Sequence, residues 1–228
     1  MLKKELLITH KKTHKQMRKI YFLVILFMVS LSSLFAQSFQ KGSMVIDGSA
    51  NLGIYETMSK NLLNDSITHD HAGVILFPFT AEYGVTDWLG AALQFDYSNY
   101  IEGKDTTTNQ NNNRVNGIDI IAKANFHFVR TKRTDILFGP NIGYTHISSK
   151  AHDTLNASAA ASGFTFGGNL QSRFYFGEVF GIFLNLGYHF HNYPKLAFYD
   201  DNHPDGINDF KLNLKGVNFG IGLMFKLK

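Results

Sequence analysis

Residues 118–128 read Ile-Asp-Ile-Ile-Ala-Lys-Ala-Asn-Phe-His-Phe, and the order decides the fold. Ile118, Ile120, Ala122, Ala124, Phe126 and Phe128 share one parity, while Asp119, Lys123, Asn125 and His127 share the other. Successive side chains of a strand point to opposite faces, so this spacing predicts a β-strand that is apolar on one side and polar on the other.

The alternation extends in both directions along the chain. Upstream, Met44, Ile46, Ala50, Leu52 and Ile54 oppose Asp47, Ser49, Asn51 and Tyr55; Phe77, Phe79, Ala81 and Tyr83 oppose Thr80 and Glu82; and Leu93, Phe95 and Tyr97 oppose Gln94, Asp96 and Ser98. Downstream, Phe138 and Ile142 oppose Asn141, and Phe164, Phe166, Leu170 and Phe174 oppose Thr165, Asn169, Gln171 and Arg173. Leu184, Leu186 and Tyr188 then oppose Asn185 and His189, and Phe219, Ile221, Leu223 and Phe225 oppose Asn218. Eight strands are predicted. The stretches 57–72, 99–115, 148–162 and 191–211 read as long polar connections, whereas Thr86–Asp87, Arg130–Thr134 and Gly177–Val179 read as short turns.

Alternation alone fits a soluble sandwich or a lipocalin-like barrel as well as a membrane barrel. Aromatic placement favours the membrane barrel. Tyr83 and Trp88 flank one short turn and Phe176 and Phe180 another, while Tyr97, Tyr144 and Tyr188 mark the opposite strand ends, as two interfacial girdles require. The predicted fold is an all-β, eight-stranded, antiparallel up-and-down transmembrane barrel. Its apolar faces meet lipid, and its polar faces fill a narrow lumen. Asp47, Glu82, Asp96 and Asp119 are expected there opposite Lys123 and Arg173, with His127 and His189 bridging, so the interior reads as a plugged polar core. Arg173 is expected to pair with Glu82, Asp96 or Asp119, because an unpaired buried guanidinium is costly.

Charge and composition exclude other classes. Seven of the 22 Lys and Arg but only one of the 18 acids lie in residues 1–36, leaving 15 bases against 17 acids, net −2, in the rest. No basic surface for nucleic acid is expected on the main domain. The absence of cysteine excludes disulfides, thiolate metal sites and thiol nucleophiles. Arg18 and Lys19 precede the apolar run Ile20–Leu31, and Ser32, Ser33 and Ala36 follow it, the order of a secretory signal peptide cleaved after Ala36. Met17 could serve as an alternative start. Residues 37–228 then form one barrel domain.

Pro78, Glu82, Tyr83, Gly84, Val85, Asp87 and Trp88 around the first short turn, with the final strand, resemble the small outer-membrane barrels of the OmpA and OmpX type, in particular the β-barrel family common in Bacteroidetes. The resemblance spans residues 42–228. Within it, Asn218, Gly220, Leu223 and Phe225 look like the terminal signal read by the barrel-assembly machinery, although Leu227 and Lys228 follow where many members end on an aromatic. The family implies an outer-membrane monomer surrounded by lipid and lipopolysaccharide, with loops that could meet an extracellular ligand. It implies activity only weakly, because one scaffold carries many functions.

His189, His191, Asn192 and Tyr193 lie where lipid-modifying barrel enzymes keep catalytic histidines, but the serine such deacylases require is missing. A solvated loop beginning at His191 is the simpler expectation. Asp201, His203, Asp205, Gly206 and Asp209 partly match a calcium loop, yet Leu212 stands where a bidentate Glu is needed. His69, His71, Asp65 and Asp70 could bind a transition metal weakly. No metal, cofactor or catalytic residue is therefore assigned. The expected function is a non-enzymatic structural or surface-interaction protein, with a narrow solute channel and a lipid-modifying enzyme as alternatives.

Overall fold

The computed structural model describes residues 38–102, 114–150, 158–200 and 203–227. The predicted leader, the Asn111–Asn113 run and Asp201 lie outside these residues. Eight strands form in chain order: β1 (Met44–Asn61), β2 (Ile67–Gly84), β3 (Leu89–Glu102), β4 (Arg114–Arg130), β5 (Thr134–Lys150), β6 (Ser158–Tyr175), β7 (Phe180–Asp200) and β8 (His203–Leu227). Each pairs antiparallel with its sequence neighbour, and β1 closes the ring on β8, with Met44 opposite Leu227 and Asn61 opposite Phe210.

The predicted facing holds strand by strand. Leu52, Leu93, Ile120, Ile142, Phe166, Leu186 and Phe219 are exposed on the outer wall, while Asp47, Glu82, Asp119, Lys123, Asn169 and Arg173 are buried inside. A closed ring leaves no open edge, so the backbone polar groups of the wall have a strand partner on either side, as hydrocarbon surroundings demand, with register shifts at His127/Val129, Ser162/Phe164 and along the far ends of β7 and β8. Trp88 stacks near Phe126 and Phe176 near Phe180, each with centroids 5.9 Å apart, at the end that carries the short turns. Following the usual orientation of such barrels, that end is periplasmic.

The connections differ from expectation. Residues 57–61 and 67–72 belong to β1 and β2, so the first outer turn is only 62–66, and β7 and β8 run to Asp200 and from His203. His191 accordingly sits in a strand and not in a solvated loop. The strands are 14 to 25 residues long, whereas roughly 9–11 tilted residues cross a bilayer. The outer wall therefore projects well past the Tyr97, Tyr144 and Tyr188 girdle. The projecting part escaped the sequence pattern because its outward face meets water instead of lipid while its inward face buries apolar side chains such as Ala72, Val74, Ile147 and Leu214, so the apolar-out, polar-in alternation ends at the girdle.

Candidate functional site

The lumen is filled in three storeys, set by which inward positions each strand supplies. At the inner end, Arg173 of β6 places Nη2 2.6 Å from Glu82 Oε2 and 3.2 Å from Asp47 Oδ2, with Nη1 3.6 Å from Asp135 Oδ2. His127 of β4 spans the same carboxylates, Nε2 lying 2.9 Å from Glu82 and Nδ1 2.9 Å from Asp135. His127 thus bridges the two acids through both of its ring nitrogens. Asn125 Nδ2 donates to Glu82 Oε1 at 2.8 Å. Three acids thus surround Arg173 and His127 in a closed space: the side chains of Arg173, His127, Glu82 and Asp135 are 0% exposed. Phe39 stacks on His127 at 3.5 Å, with the rings 8° from parallel, and closes the cluster from below together with Val45, Tyr175, Phe183 and Met224. The segment before β1 is fastened there by the Ser38 amide, which donates to Thr131 O at 3.0 Å.

Above this cluster, every strand contributes at least one side chain to a polar belt, and β3 two. Asn141 donates to Asn169, Asn169 to Asn185, and both Asn185 and Asn51 to Asn218, over 2.8–3.5 Å. The belt continues through Lys123, which lies opposite Asn141 in the β4–β5 register and donates to Gln94 Oε1 at 2.9 Å; Thr80 donates to the same oxygen at 3.3 Å. Gln94 Nε2 in turn donates to both oxygens of Asp96, at 2.7 and 2.8 Å. Glycine leaves room for these side chains at the wall: a Cβ on Gly220 would come 1.8 Å from Asn51 Oδ1 of the belt and 2.8 Å from the Ala50 carbonyl oxygen, and one on Gly90 2.1 Å from Glu82 Oε1 of the inner cluster.

The outer storey is mostly apolar. Tyr55, Tyr100, Tyr193, Ala72, Val74, Leu76, Ile147, Ala161 and Leu214 pack as one buried cluster. Polar links there are few: Tyr193 and Thr145 share a 2.7 Å hydrogen bond, and His191 Nδ1 lies 3.9 Å from Asp119 Oδ2. His189 is buried beside His191, with centroids 6.3 Å apart. Above the membrane, Glu56 accepts from Lys215 at 3.0 Å and contacts His69 at 3.2 Å, and those two contacts hold its carboxyl below the usual carboxylate range.

The structure brings Asp47, Glu82, His127 and Arg173 into one cluster, and Asp96 and Lys123 into the belt above it. Asp119 and His189 stand apart in the outer storey. Sequence reasoning missed Asp135 and Phe39. The parity of Asp135 with Asn141 was the available signal, whereas Phe39 precedes every alternating segment and carried none. Asn218 points inward, and Leu223 and Phe225 point outward at 53% and 47% exposure, so the terminal motif is split between the two faces. Around the incomplete deacylase motif, His189, His191 and Tyr193 point inward, while Asn192 donates to Asn213 outside the lumen. His69 is engaged with Glu56, and Asp65 with Lys60 at 2.7 Å. Among the described residues no three His, Cys, Asp or Glu side chains gather as a metal site.

A closed eight-stranded ring, apolar outside and polar within, with aromatic belts at both ends, is an outer-membrane β-barrel. Solved structures share this fold at low identity. The outer membrane protein OprG from Pseudomonas aeruginosa matches with a TM-score of 0.62 and 12% identity over 83% of this chain and 97% of that one. The outer membrane protein AlkL, determined by solid-state NMR in lipid bilayers, matches with a TM-score of 0.54 and 12% identity over 83% of this chain and 92% of that one. No protein-family profile and no curated protein matches the sequence.

Proposed function

We propose that the protein is a sealed, non-enzymatic barrel that serves envelope structure or surface interaction, with its projecting outer hairpins as the contact surface. The observation that carries this reading is the fully buried Arg173 cluster, which stands across the lumen with Phe39 packed beneath it. Opening a path through it would require separating charges that have no water to replace them, and buried pairs resist that by several kcal/mol. The reading includes a monomer of the Bacteroidetes type, embedded among phospholipid and lipopolysaccharide, whose last strand is recognised during assembly through Asn218, Gly220, Leu223 and Phe225.

A narrow water or proton path is the second reading. It is favoured by orphaned polar atoms above the belt: among the described residues both ring nitrogens of His191 and Thr165 Oγ1 have no hydrogen-bond partner, and buried groups of this kind usually hold ordered water. Recordings in planar bilayers separate the two. A sealed barrel gives no unitary ion conductance, whereas steady conductance steps from the wild type would overturn the structural reading and promote the channel.

A further inference from the structure

The inner mouth of the barrel carries a charge opposite to that of the domain as a whole. Residues 37–228 are net −2, yet among the described residues the N-terminal segment, the three short turns and the end of β8 carry Lys41, Arg130, Lys132, Arg133 and Lys226 against only Asp87 and Glu178. Four of these bases gather around one basin. It encloses about 920 Å³ between the N-terminal segment, the β4–β5 and β6–β7 turns and the end of β8, and Lys41, Lys132, Arg133 and Lys226 line it with Glu178 as its single acid.

Two further features give the basin a chemical preference. Tyr175 also lines it, but it is 4% exposed and packs with Phe39, Val45, Phe183 and Met224 as an apolar floor, its hydroxyl facing Arg173. The remaining wall is apolar: Phe176 and Val179 are 67% and 54% exposed and Leu227 is 42% exposed, and Phe176 stacks on Phe180 of the inner aromatic girdle. Cations that converge on one basin suit an oxyanion. An apolar rim continuous with the lipid-facing wall suits acyl chains.

We propose that this basin binds the phosphate head group of an anionic glycerophospholipid from the inner leaflet, with Lys132, Arg133 and Lys226 as the charge partners and the tails along Phe176 and Val179. A soluble phosphate would use the cations but leave the apolar rim idle. A peptidoglycan carboxylate would do the same from the aqueous side. The girdle-level position and the mixed lining favour the lipid.

Native mass spectrometry of the full barrel, released from vesicles of equal phosphatidylglycerol and phosphatidylcholine, tests the assignment. The wild type should retain one phosphatidylglycerol in strong preference to phosphatidylcholine. A Lys132→Gln/Arg133→Gln/Lys226→Gln variant should lose roughly tenfold or more of that enrichment, since a base near an anionic lipid surface contributes about fivefold in affinity. Heat-modifiable gel migration reports whether the triple variant is folded, and the turn variant Lys132→Gln alone, which leaves the wall untouched, should still lower the enrichment severalfold. Equal retention of the two lipids by the wild type, or undiminished enrichment in the folded variants, would overturn the site. Displacement of the lipid by equimolar inorganic phosphate would assign the cations to a soluble ion, and preferential retention of a soluble muropeptide would assign them to the cell wall; either result overturns the lipid proposal.

Discussion

At the inner end of the lumen, Arg173, His127, Asp47, Glu82 and Asp135 hold one another by charge, whereas at the outer end Tyr55, Tyr100 and Tyr193 pack with Ala72, Val74, Leu76 and Leu214 largely by shape. The two halves use the same backbone and the same inward parity. They should nevertheless respond differently to substitution. Removing one member of a buried ionic cluster leaves its partners charged and unsolvated, so the loss is abrupt. Removing a polar atom from a packed apolar cluster forfeits one hydrogen bond of modest net value. The inner half therefore acts as a rigid stopper, and the outer half tolerates exchange.

The largest expected effect is Arg173→Met. It leaves Asp47, Glu82 and Asp135 facing His127 alone, and unfolding from bilayers by urea should show a loss of about 3–5 kcal/mol. Adding Glu82→Gln should recover part of that loss by removing one stranded charge. If the single variant were as stable as the wild type, the ionic stopper would not govern the inner half. Conductance should rise only slightly, because Asn169, Gln171 and Tyr175 still occupy the lumen.

Next in size is a test of the wall between the two halves. Ala122 is exposed to lipid opposite Leu93 and Ile142, while its neighbour Lys123 is 8% exposed inside. Ala122→Arg should cost about 2–4 kcal/mol if it lies near the midplane. Lys123→Met should act differently, freeing the Gln94 carbonyl without touching lipid. Equal stability of Ala122→Arg and wild type, measured in the same unfolding assay, would mean that the faces are inverted.

The residues involved explain how far the sequence could be read. Arg173, Glu82 and Asp119 were legible as inward because unbroken apolar neighbours flank them on the opposite parity. Leu76, Val74 and Ile121 were not, since an apolar residue on the polar face leaves no alternation to detect; that is why the apolar outer storey was hidden. The ring closure of β1 on β8 brings Asp47 to Arg173 across more than half of the chain, and no local pattern encodes that register. Phe39 is held by stacking on His127 and by packing with Val45, Tyr175, Phe183 and Met224, contacts that spacing cannot announce.

Within the outer half, Thr145→Val should cost only about 1 kcal/mol, the net worth of the hydrogen bond shared with Tyr193. Urea unfolding in the same bilayers measures it. A loss as large as that of Arg173→Met would erase the contrast between the two halves and imply a polar network in the outer storey as tightly coupled as the inner one.

The smallest effect lies beyond the membrane, where Glu56 bridges Lys215 of β8 and His69 of β2. Hydrogen bonding to Lys215, and then to His69, lowers the folded-state pKa of Glu56 from its ordinary 4.5. A depressed carboxylate pKa contributes stability that is fully present above the unfolded value and is lost as pH falls through the folded one. The projecting wall should therefore loosen only below about pH 4.5, while the membrane-embedded barrel stays closed. Amide hydrogen exchange at Thr57 and Leu214 across that window measures it, and Glu56→Gln should flatten the pH dependence without changing protection at Lys123. Because all three side chains are solvent-accessible, salt should weaken the effect as well. If protection near Glu56 fell instead on raising the pH from 5 to 7, the sign would be wrong, and the Glu56 carboxylate would not govern the projecting wall.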